Sequence, residues 1–332
     1  LTRQVREGFV LVVRKTVSGE RIGLVGVLDL EEYDYECSGS SFIRATEGTI
    51  RERIPVRVNI RKNAPVEVPH VMVLADDRRG ELTEWLWEKR EQLDKLYDTQ
   101  LMQNGGQVQG YRVEGELAQE TERKILRMQE SVKDMLLAVG DGNHSLAAAK
   151  EIWNDIKKNL SEEEKDIHPA RFALAELVNL HSPALAFEPI HRVLSGVRKE
   201  EMIKGFREYL ESRKISWCCG TEIVFVGQEA GREDAEGMKL DGAGECLPVD
   251  ILQQFLDEYV GEHPGISIDY VHGEEAVKKI ASNDGNCGIL LQPLDKKELF
   301  PAILAGGVLP RKTFSMGEAW EKRYYMECHR IR

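Results

Sequence analysis

Residues 135–153 of the chain read MLLAVGDGNHSLAAAKEIW. The apolar run at the start, Met135–Val139, predicts a buried strand. After the two glycines, Leu146, Ala149 and Trp153 recur at helical spacing, which predicts a helix with one apolar face. The residues between these two patterns therefore predict a tight turn from the end of a strand into the N-terminus of a helix.

A strand-to-helix turn of this kind is a natural anion-binding site, because unpaired backbone N–H groups and the positive end of the helix dipole converge there. Gly142 lets a ligand approach the backbone closely. Asp141 and His144 add a carboxylate and an imidazole at the same rim. The same residues also allow a plainer interpretation, in which Asp141 or Asn143 caps the helix and His144 is a surface residue.

The composition is that of an acidic globular chain, with 332 residues, 42% hydrophobic residues and a formal net charge of -12. The length predicts two domains. The net charge argues against a nucleic-acid partner, because phosphate contacts need a basic face. The sequence contains no apolar run of the roughly 20 residues that span a bilayer, so we expect no membrane partner.

Cysteine usage predicts a reducing compartment. The six cysteines show neither CxxC pairing nor zinc-ligand spacing, so we expect a cytoplasmic protein without a structural metal site. The sequence also contains no P-loop, no GxGxxG motif after a strand, no HExxH motif and no GxSxG elbow. These absences argue against the enzyme classes that depend on those motifs.

The pattern of strands and helices changes near residue 195. The first part alternates strands with helices, including a helix predicted over residues 81–97, and indicates an α+β or α/β domain. Predicted strands and helices alternate again over residues 196–332, and this pattern indicates a second, smaller α/β unit. The first residues of the chain are typical of the end of a helix, so we expect that a segment preceding Leu1 is missing.

A second unusual stretch, GGVLPRKTFS, lies at residues 306–315. Two glycines, two basic residues and two hydroxyl groups occur together there. Such a set is able to bind phosphate, with Lys312 as a point charge. A surface loop between the last helix and a final strand is the alternative.

Three segments together resemble domain of unknown function family 1015, whose members are often labelled ParB-like regulators. The central family motif is Asp-Gly-His-His-Arg, which residues 141–145 match at the aspartate, the glycine and the second histidine. Residues 189–192, Pro-Ile-His-Arg, resemble the family's Pro-Thr-His-Arg, and residues 309–313 resemble its Met-Pro-x-Lys-Ser-Thr signature. A weaker match places Glu47 and Thr49 on a His-Glu-x-Thr element.

The resemblance implies a fold and a set of roles. The motif is similar to the phosphate-binding box of the ParB and sulfiredoxin superfamily, which includes nucleotide-binding partition proteins and a free-serine kinase. It implies an α+β protein with a ParB/sulfiredoxin-like domain over residues 1–195 and an α/β domain over residues 196–332. By the same similarity, Asp141 and His144 lie beside phosphates, and Glu47 is the candidate base.

Two departures from the motif affect the expected site. Asn143 and Ser145 stand where the family has histidine and arginine. The missing arginine is a bidentate phosphate clamp whose charge a serine cannot replace. We expect Arg192, Lys312 or an arginine from the segment Arg44–Arg61 to supply that charge, unless activity has been altered or lost.

The leading hypothesis is nucleotide-dependent phosphoryl transfer to a small polar metabolite, of which a free hydroxy amino acid such as serine is one case. ATP or ADP with Mg²⁺ is the expected cofactor. Asp141 would help hold Mg²⁺ or orient the nucleophile, His144 would stabilise developing charge, and Glu47 would accept the hydroxyl proton. The predicted phosphate-binding residues are Gly142, Asn143, Ser145, Arg192, Lys312 and Thr313.

Two other functions stay open at this point. A non-catalytic, nucleotide-binding ParB-like regulator without DNA binding would fit both the acidic composition and the missing arginine. A structural or protein-interaction module is the third. The phosphoryl-transfer hypothesis predicts that Glu47, Arg192 and Lys312 line one cleft with His144. The sequence indicates no oligomeric state.

Overall fold

The computed structural model describes residues 5, 7–16, 18–36, 41–49, 51–68, 71–229, 232–241, 246–317 and 325–331. The chain packs into two compact units, one of residues 1–186 with 316–332 and one of residues 187–315. The second unit is therefore an insertion in the sequence of the first. This division differs from the boundary predicted at residue 195, because the strand at 187–195 hydrogen-bonds to strands of the second unit.

Most strands of the described residues belong to the first unit. Its strands are β1 (Phe9–Thr16), β2 (Gly19–Asp29), β3 (Tyr33–Asp34), β4 (Ile43–Ala45), β5 (Val66–Glu67), β6 (Val71–Ala75), β7 (Asp94–Gln100), β8 (Gln107–Val113), β9 (Leu137–Asp141), β10 (Phe172–Asn179) and, near the C-terminus, β17 (His329–Arg330). Its helices are α1 (Ile54–Arg61), α2 (Thr83–Glu88), α3 (Gly115–Ser131), α4 (Asn143–Ile156) and α5 (Glu162–Ile167).

The second unit contains the remaining elements. Its strands are β11 (Phe187–Ser195), β12 (Ser216–Glu229), β13 (Arg232–Asp241), β14 (Ser267–His272), β15 (Asn286–Leu291) and β16 (Phe314–Met316), of which all but the last residue belongs to this unit. Its helices are α6 (Lys199–Ser212), α7 (Pro248–Glu262), α8 (Glu274–Ala281) and α9 (Lys296–Gly306).

Nine strands of the first unit form one mixed sheet in the order β3-β4-β9-β6-β10-β2-β1-β8-β7. Strands β3, β4 and β9 run parallel to one another, as do β6 and β10. The other neighbours are antiparallel, including the β1–β2 hairpin. The mixed sheet and its helices confirm the predicted α+β class.

Helix α4 packs on this sheet beside β9. Leu146, Ala149 and Trp153, which carry the predicted helical spacing, are buried in one cluster with Val139 of the strand. A fully buried leucine such as Leu146 contributes about 1.5–3 kcal/mol relative to an exposed one. Since β9 ends at Asp141 and α4 begins directly after Gly142, the predicted strand, turn and helix are confirmed.

The helix predicted over residues 81–97 was wrong in its second half. Helix α2 ends at Glu88, a 3-10 turn follows over Arg90–Gln92, and the chain then enters β7. Strand β7 pairs with β8 at the edge of the sheet. Pairing with a neighbouring strand therefore overrides the local helical pattern, as is common for edge strands.

The second unit has its own antiparallel sheet, ordered β13-β12-β15-β11-β14, with β16 beside β11. Strands β11 and β12 each run antiparallel to β15, so they are parallel to each other, and α6 connects them. Strands β14 and β15 flank β11 in the same way, and α8 connects them. The predicted α/β alternation therefore identified the crossovers, but the antiparallel strand inserted in each makes this unit α+β.

Two features bear on the expected environment. No helix in the part of the chain that the structure describes is long and apolar enough to cross a membrane. The cysteines in the same residues are free thiols, namely Cys218, Cys219, Cys246, Cys287 and Cys328. The cytoplasmic location stays a prediction.

Candidate functional site

The turn between β9 and α4 places the residues Asp141–Ser145 together at one end of the helix. Gly142 is the N-cap, with φ 87° and ψ 16°, in the left-handed region that favours glycine. Its amide donates to Asp141 Oδ1 at 2.8 Å. Its carbonyl accepts from the amides of Ser145 and Leu146 at 2.9 Å and 3.0 Å. The backbone of this turn therefore requires glycine at position 142.

The start of α4 directs backbone N–H groups out of the helix. An amide in an α-helix donates to the carbonyl four residues earlier in the chain. The amides of Asn143 and His144 therefore have no acceptor within α4. The helix has 14 residues, so its dipole adds positive potential at this end. His144 and Ser145 are partly exposed, which leaves the turn open to solvent. Helix termini of this form bind anions.

Glu47 leaves the sheet at the same edge as this turn. Strands β4 and β9 are parallel neighbours, with Ala45 opposite Val139. Because parallel strands end on the same side of a sheet, the chain that continues through Thr46 into Glu47 emerges beside the Asp141–Ser145 turn. The structure therefore brings the candidate base and the candidate phosphate-binding turn to the C-terminal ends of two neighbouring strands, β4 and β9.

A buried hydrogen-bond network joins these two segments. Thr46 Oγ1 donates to the Val139 carbonyl at 2.6 Å. Asn143 Nδ2 lies 3.3 Å from that carbonyl and 3.4 Å from Thr46 Oγ1. Because a carbonyl only accepts hydrogen bonds, Val139 fixes the orientation of the Asn143 amide. The side chain of Asn143 thus ties the first residue of α4 to the exit of β4.

Thr46 is a site residue that the sequence interpretation missed. It stands where the His-Glu-x-Thr element has histidine, and Asn143 stands where the central motif has histidine. Both residues therefore differ from the motifs that the sequence resembles, and their side chains are hydrogen-bonded to each other. The signal was present in the weaker motif, but only the structure shows that the two positions are in contact.

Among the residues that the structure describes, two buried oxygens lack hydrogen-bond partners, namely Asn143 Oδ1 at this turn and Thr49 Oγ1, two residues after Glu47. Buried polar groups are nearly always paired, because an unpaired one costs about 1–3 kcal/mol. Unpaired groups of this kind commonly mark a bound water, ion or ligand. The site therefore has unused hydrogen-bonding capacity beside the helix terminus.

The network predicts that replacing Thr46 by valine will lower the free energy of unfolding by about 1–3 kcal/mol, because the buried Val139 carbonyl loses its hydroxyl donor and the Asn143 amide loses one of its two acceptors. Thr121→Val is the matched control, since Thr121 is also buried and donates to the Leu117 carbonyl at 2.7 Å within helix α3. Urea denaturation measures both losses. Thr46→Ser should restore most of the stability, and equal losses in the two valine variants would contradict the network.

The C-terminal segment contributes Tyr325 to the surroundings of Asp141. Burial raises the pKa of Tyr325 to about 12, and the carboxylates of Glu176 and Asp141 act in the same direction. The Arg14 guanidinium lies 5.0 Å from the centroid of the tyrosine ring and opposes the rise. The phenol is therefore protonated at neutral pH and is able to donate a hydrogen bond near the site.

A groove of about 270 Å³ lies beside the turn, between α1 and α4. Ser145 borders it, and Ile60 and Val68 contribute apolar walls. Arg57 and Arg61 of α1 also line it. The groove therefore combines apolar surface with two cationic side chains next to the N-terminus of α4.

Arg192 lies in the second unit, where it is fully buried. Its guanidinium donates to Gln253 Oε1 at 3.2 Å and 3.3 Å, to the Lys312 carbonyl at 3.0 Å, and to the Ile190 carbonyl. These contacts give Arg192 a structural role that joins β11, α7 and the loop at Lys312. A role in phosphate binding stays a prediction.

Lys312 and Thr313 belong to the same loop of the second unit. The Lys312 side chain is exposed, and its backbone has φ 64°, which is uncommon for a residue other than glycine. Thr313 is buried, and its hydroxyl donates to the Pro310 carbonyl at 2.7 Å. Phosphate binding by either residue, and their convergence with His144 and Glu47, stay predictions.

Metal binding also stays a prediction. Across the described part of the chain, no group of three or more His, Cys, Asp or Glu side chains is arranged to hold an ion. Asp141 ends β9 and Glu47 follows the neighbouring parallel strand β4, and carboxylate oxygens of this type suit Mg²⁺. Mg²⁺ usually takes only one or two protein carboxylates when it binds together with phosphates.

Several solved structures are similar to this chain. A free serine kinase in complex with AMP has 10% sequence identity and a TM-score of 0.46, and the alignment covers 88% of this chain and 87% of that one. SbnI from Staphylococcus aureus, with a C-terminal truncation, has 9% identity and a TM-score of 0.45, with coverages of 92% and 87%. A conserved hypothetical protein from Pyrococcus furiosus has 9% identity and a TM-score of 0.43, with coverages of 89% and 91%.

Sequence comparison gives a firmer relationship. Curated proteins provide no significant match to the chain. The sequence profile of the family described as "Protein of unknown function (DUF1015)" matches residues 1–259, which is well over half of the 332 residues. The match includes the Asp141–Ser145 turn, Glu47 and Arg192, and confirms the predicted family, whereas the signature predicted at residues 309–313 lies outside the matched range. The chain belongs to the DUF1015 family.

Proposed function

We propose that this protein binds a nucleotide at the Asp141–Ser145 turn and transfers its terminal phosphoryl group to a small polar metabolite. The main support is the pairing of the parallel strands β4 and β9, because Glu47 and the N-terminus of α4 follow the C-terminal ends of these neighbouring strands. The buried oxygens of Asn143 and Thr49, which have no hydrogen-bond partner among the described residues, add support, since a nucleotide carries hydroxyl groups that would satisfy them. A ParB/sulfiredoxin-like identity of the first unit is part of this proposal.

Each residue at this edge has a role in the proposed reaction. The first amides of α4 bind phosphate oxygens, and His144 donates a hydrogen bond to the charge that develops on them. The oxygen of the substrate hydroxyl forms a bond to the terminal phosphorus while the bond between that phosphorus and the leaving nucleotide breaks. Glu47 accepts the proton that the hydroxyl loses in this step. Asp141 orients the hydroxyl or helps hold Mg²⁺, which neutralises phosphate charge when bound. A free hydroxy amino acid such as serine is one acceptor of the required kind.

A second candidate is nucleotide binding without catalysis, as in a ParB-like regulator that does not bind DNA. Ser145 favours it, because the position lacks the arginine of the family motif. Both candidates require nucleotide binding, and they differ in whether a hydroxyl acceptor becomes phosphorylated.

The proposal is tested first by nucleotide-dependent thermal stabilisation with ATP, ADP or CTP and Mg²⁺. A nucleotide at 100 times its dissociation constant should stabilise the protein by about 2.7 kcal/mol, which raises Tm by several degrees. Adenosine, which lacks phosphate, is the control ligand and should give a much smaller shift. Labelled ATP and a pool of small metabolites then test transfer. Absence of a shift with every nucleotide would refute both candidates.

A further inference from the structure

The site lacks a cation where the family motif has arginine, since Ser145 occupies that position. The residues that line the groove between α1 and α4 include cations that are able to replace this missing charge. Ser145 borders this groove at the start of α4, and Arg57 and Arg61 line it from α1. Helix α1 is held against α4 by Ile54, which packs on Ala147 and Ala148. Both arginines are therefore carried on an element fixed beside the helix terminus.

The two arginines differ in how their charges are used. Arg61 forms an ion pair with Glu67, and both side chains are largely buried. Glu67 also accepts from the Leu174 amide at 2.8 Å, which anchors this pair to β10. Arg57 makes no ion pair with any residue that the structure describes, and its side chain is exposed at the groove. The charge of Arg57 is thus the one that a ligand is able to neutralise.

We propose that Arg57 supplies the phosphate-binding charge that the family motif places at position 145. If the phosphates of a nucleotide lie at the N-terminus of α4, the guanidinium that binds them comes from α1, whereas the family motif places it on α4. The planar guanidinium offers paired donors for phosphate oxygens, which a serine hydroxyl does not. This inference rests on the proposed nucleotide binding and names a binding residue for it.

The proposal predicts a compensation between positions 57 and 145. Arg57→Gln should weaken ATP or ADP binding about ten- to a hundredfold, the usual worth of charge-assisted hydrogen bonds to phosphate. Arg53→Gln is the matched control, because Arg53 lies in the same exposed segment but does not line the groove. The double variant Arg57→Gln/Ser145→Arg should recover most of the affinity, because the charge returns at its motif position.

Isothermal titration of ATP and ADP with Mg²⁺ into the wild type and these variants measures the effect, with circular dichroism melts to confirm folding. Arg57→Lys should lose less affinity than Arg57→Gln, because it keeps the charge but not the planar fork. If the wild type binds nucleotide and Arg57→Gln binds it as tightly as Arg53→Gln does, Arg57 is not the cation, and the proposed function stands. If the wild type binds no nucleotide, the proposed function fails and this inference fails with it.

Discussion

Replacing Glu47 by glutamine is expected to lower the rate of phosphoryl transfer by about two to four orders of magnitude, the usual contribution of a general base. Glutamine keeps the size of the side chain and cannot accept the hydroxyl proton. Nucleotide affinity should change little, because the phosphates are bound by the amides of α4. Transfer from labelled ATP to the accepted metabolite measures the first quantity, and calorimetric titration measures the second.

Glu52→Gln is the control for this substitution. Glu52 is an exposed carboxylate in the 3-10 turn that leads into α1, so its loss changes the net charge equally without touching the edge of β4. A transfer rate that falls equally in both variants would mean that only charge matters. Transfer that survives unchanged in Glu47→Gln would remove Glu47 as the base while leaving nucleotide binding intact.

The sequence predicted the elements that local patterns control. The apolar run at Met135–Val139 and the helical spacing from Leu146 indicated the strand and the helix, because these patterns directly reflect burial on one face. The second half of the predicted helix over residues 81–97 failed for the opposite reason. Strand β7 is held by its partner β8, and such pairing leaves no strong local signal in an edge strand.

The site was predicted unevenly because its parts depend on different kinds of information. The turn at Asp141–Ser145 follows from local sequence, whereas the place of Glu47 depends on the pairing of β4, a strand of three residues, with β9. Only the resemblance to a family motif indicated Glu47 in advance. For Arg192, the resemblance to the family's Pro-Thr-His-Arg indicated a candidate cation, but the buried hydrogen bonds to Gln253 are visible only in the folded second unit.

Replacing Gly142 by alanine is expected to weaken nucleotide binding by about a hundredfold or more. An L-residue at φ 87° costs roughly 1–2 kcal/mol in conformational energy. We therefore expect the backbone to relax away from the left-handed region, which would turn the amides of Asn143 and His144 away from the proposed phosphates. Loss of two charge-assisted hydrogen bonds, at about 1.5–3 kcal/mol each, gives the expected factor. Calorimetric titration with ATP or ADP measures it.

Gly115→Ala separates this effect from strain alone. Gly115 is the first residue of α3, has φ 63°, and a Cβ placed there would meet no atom within 4 Å. Both alanine variants should therefore lose similar stability in urea denaturation, since both place an L-residue where the native backbone is left-handed. Only Gly142→Ala should lose nucleotide affinity, because only its amides face the proposed ligand. Equal affinities in the two variants would show that the α4 terminus does not bind the phosphates, whatever the role of Glu47.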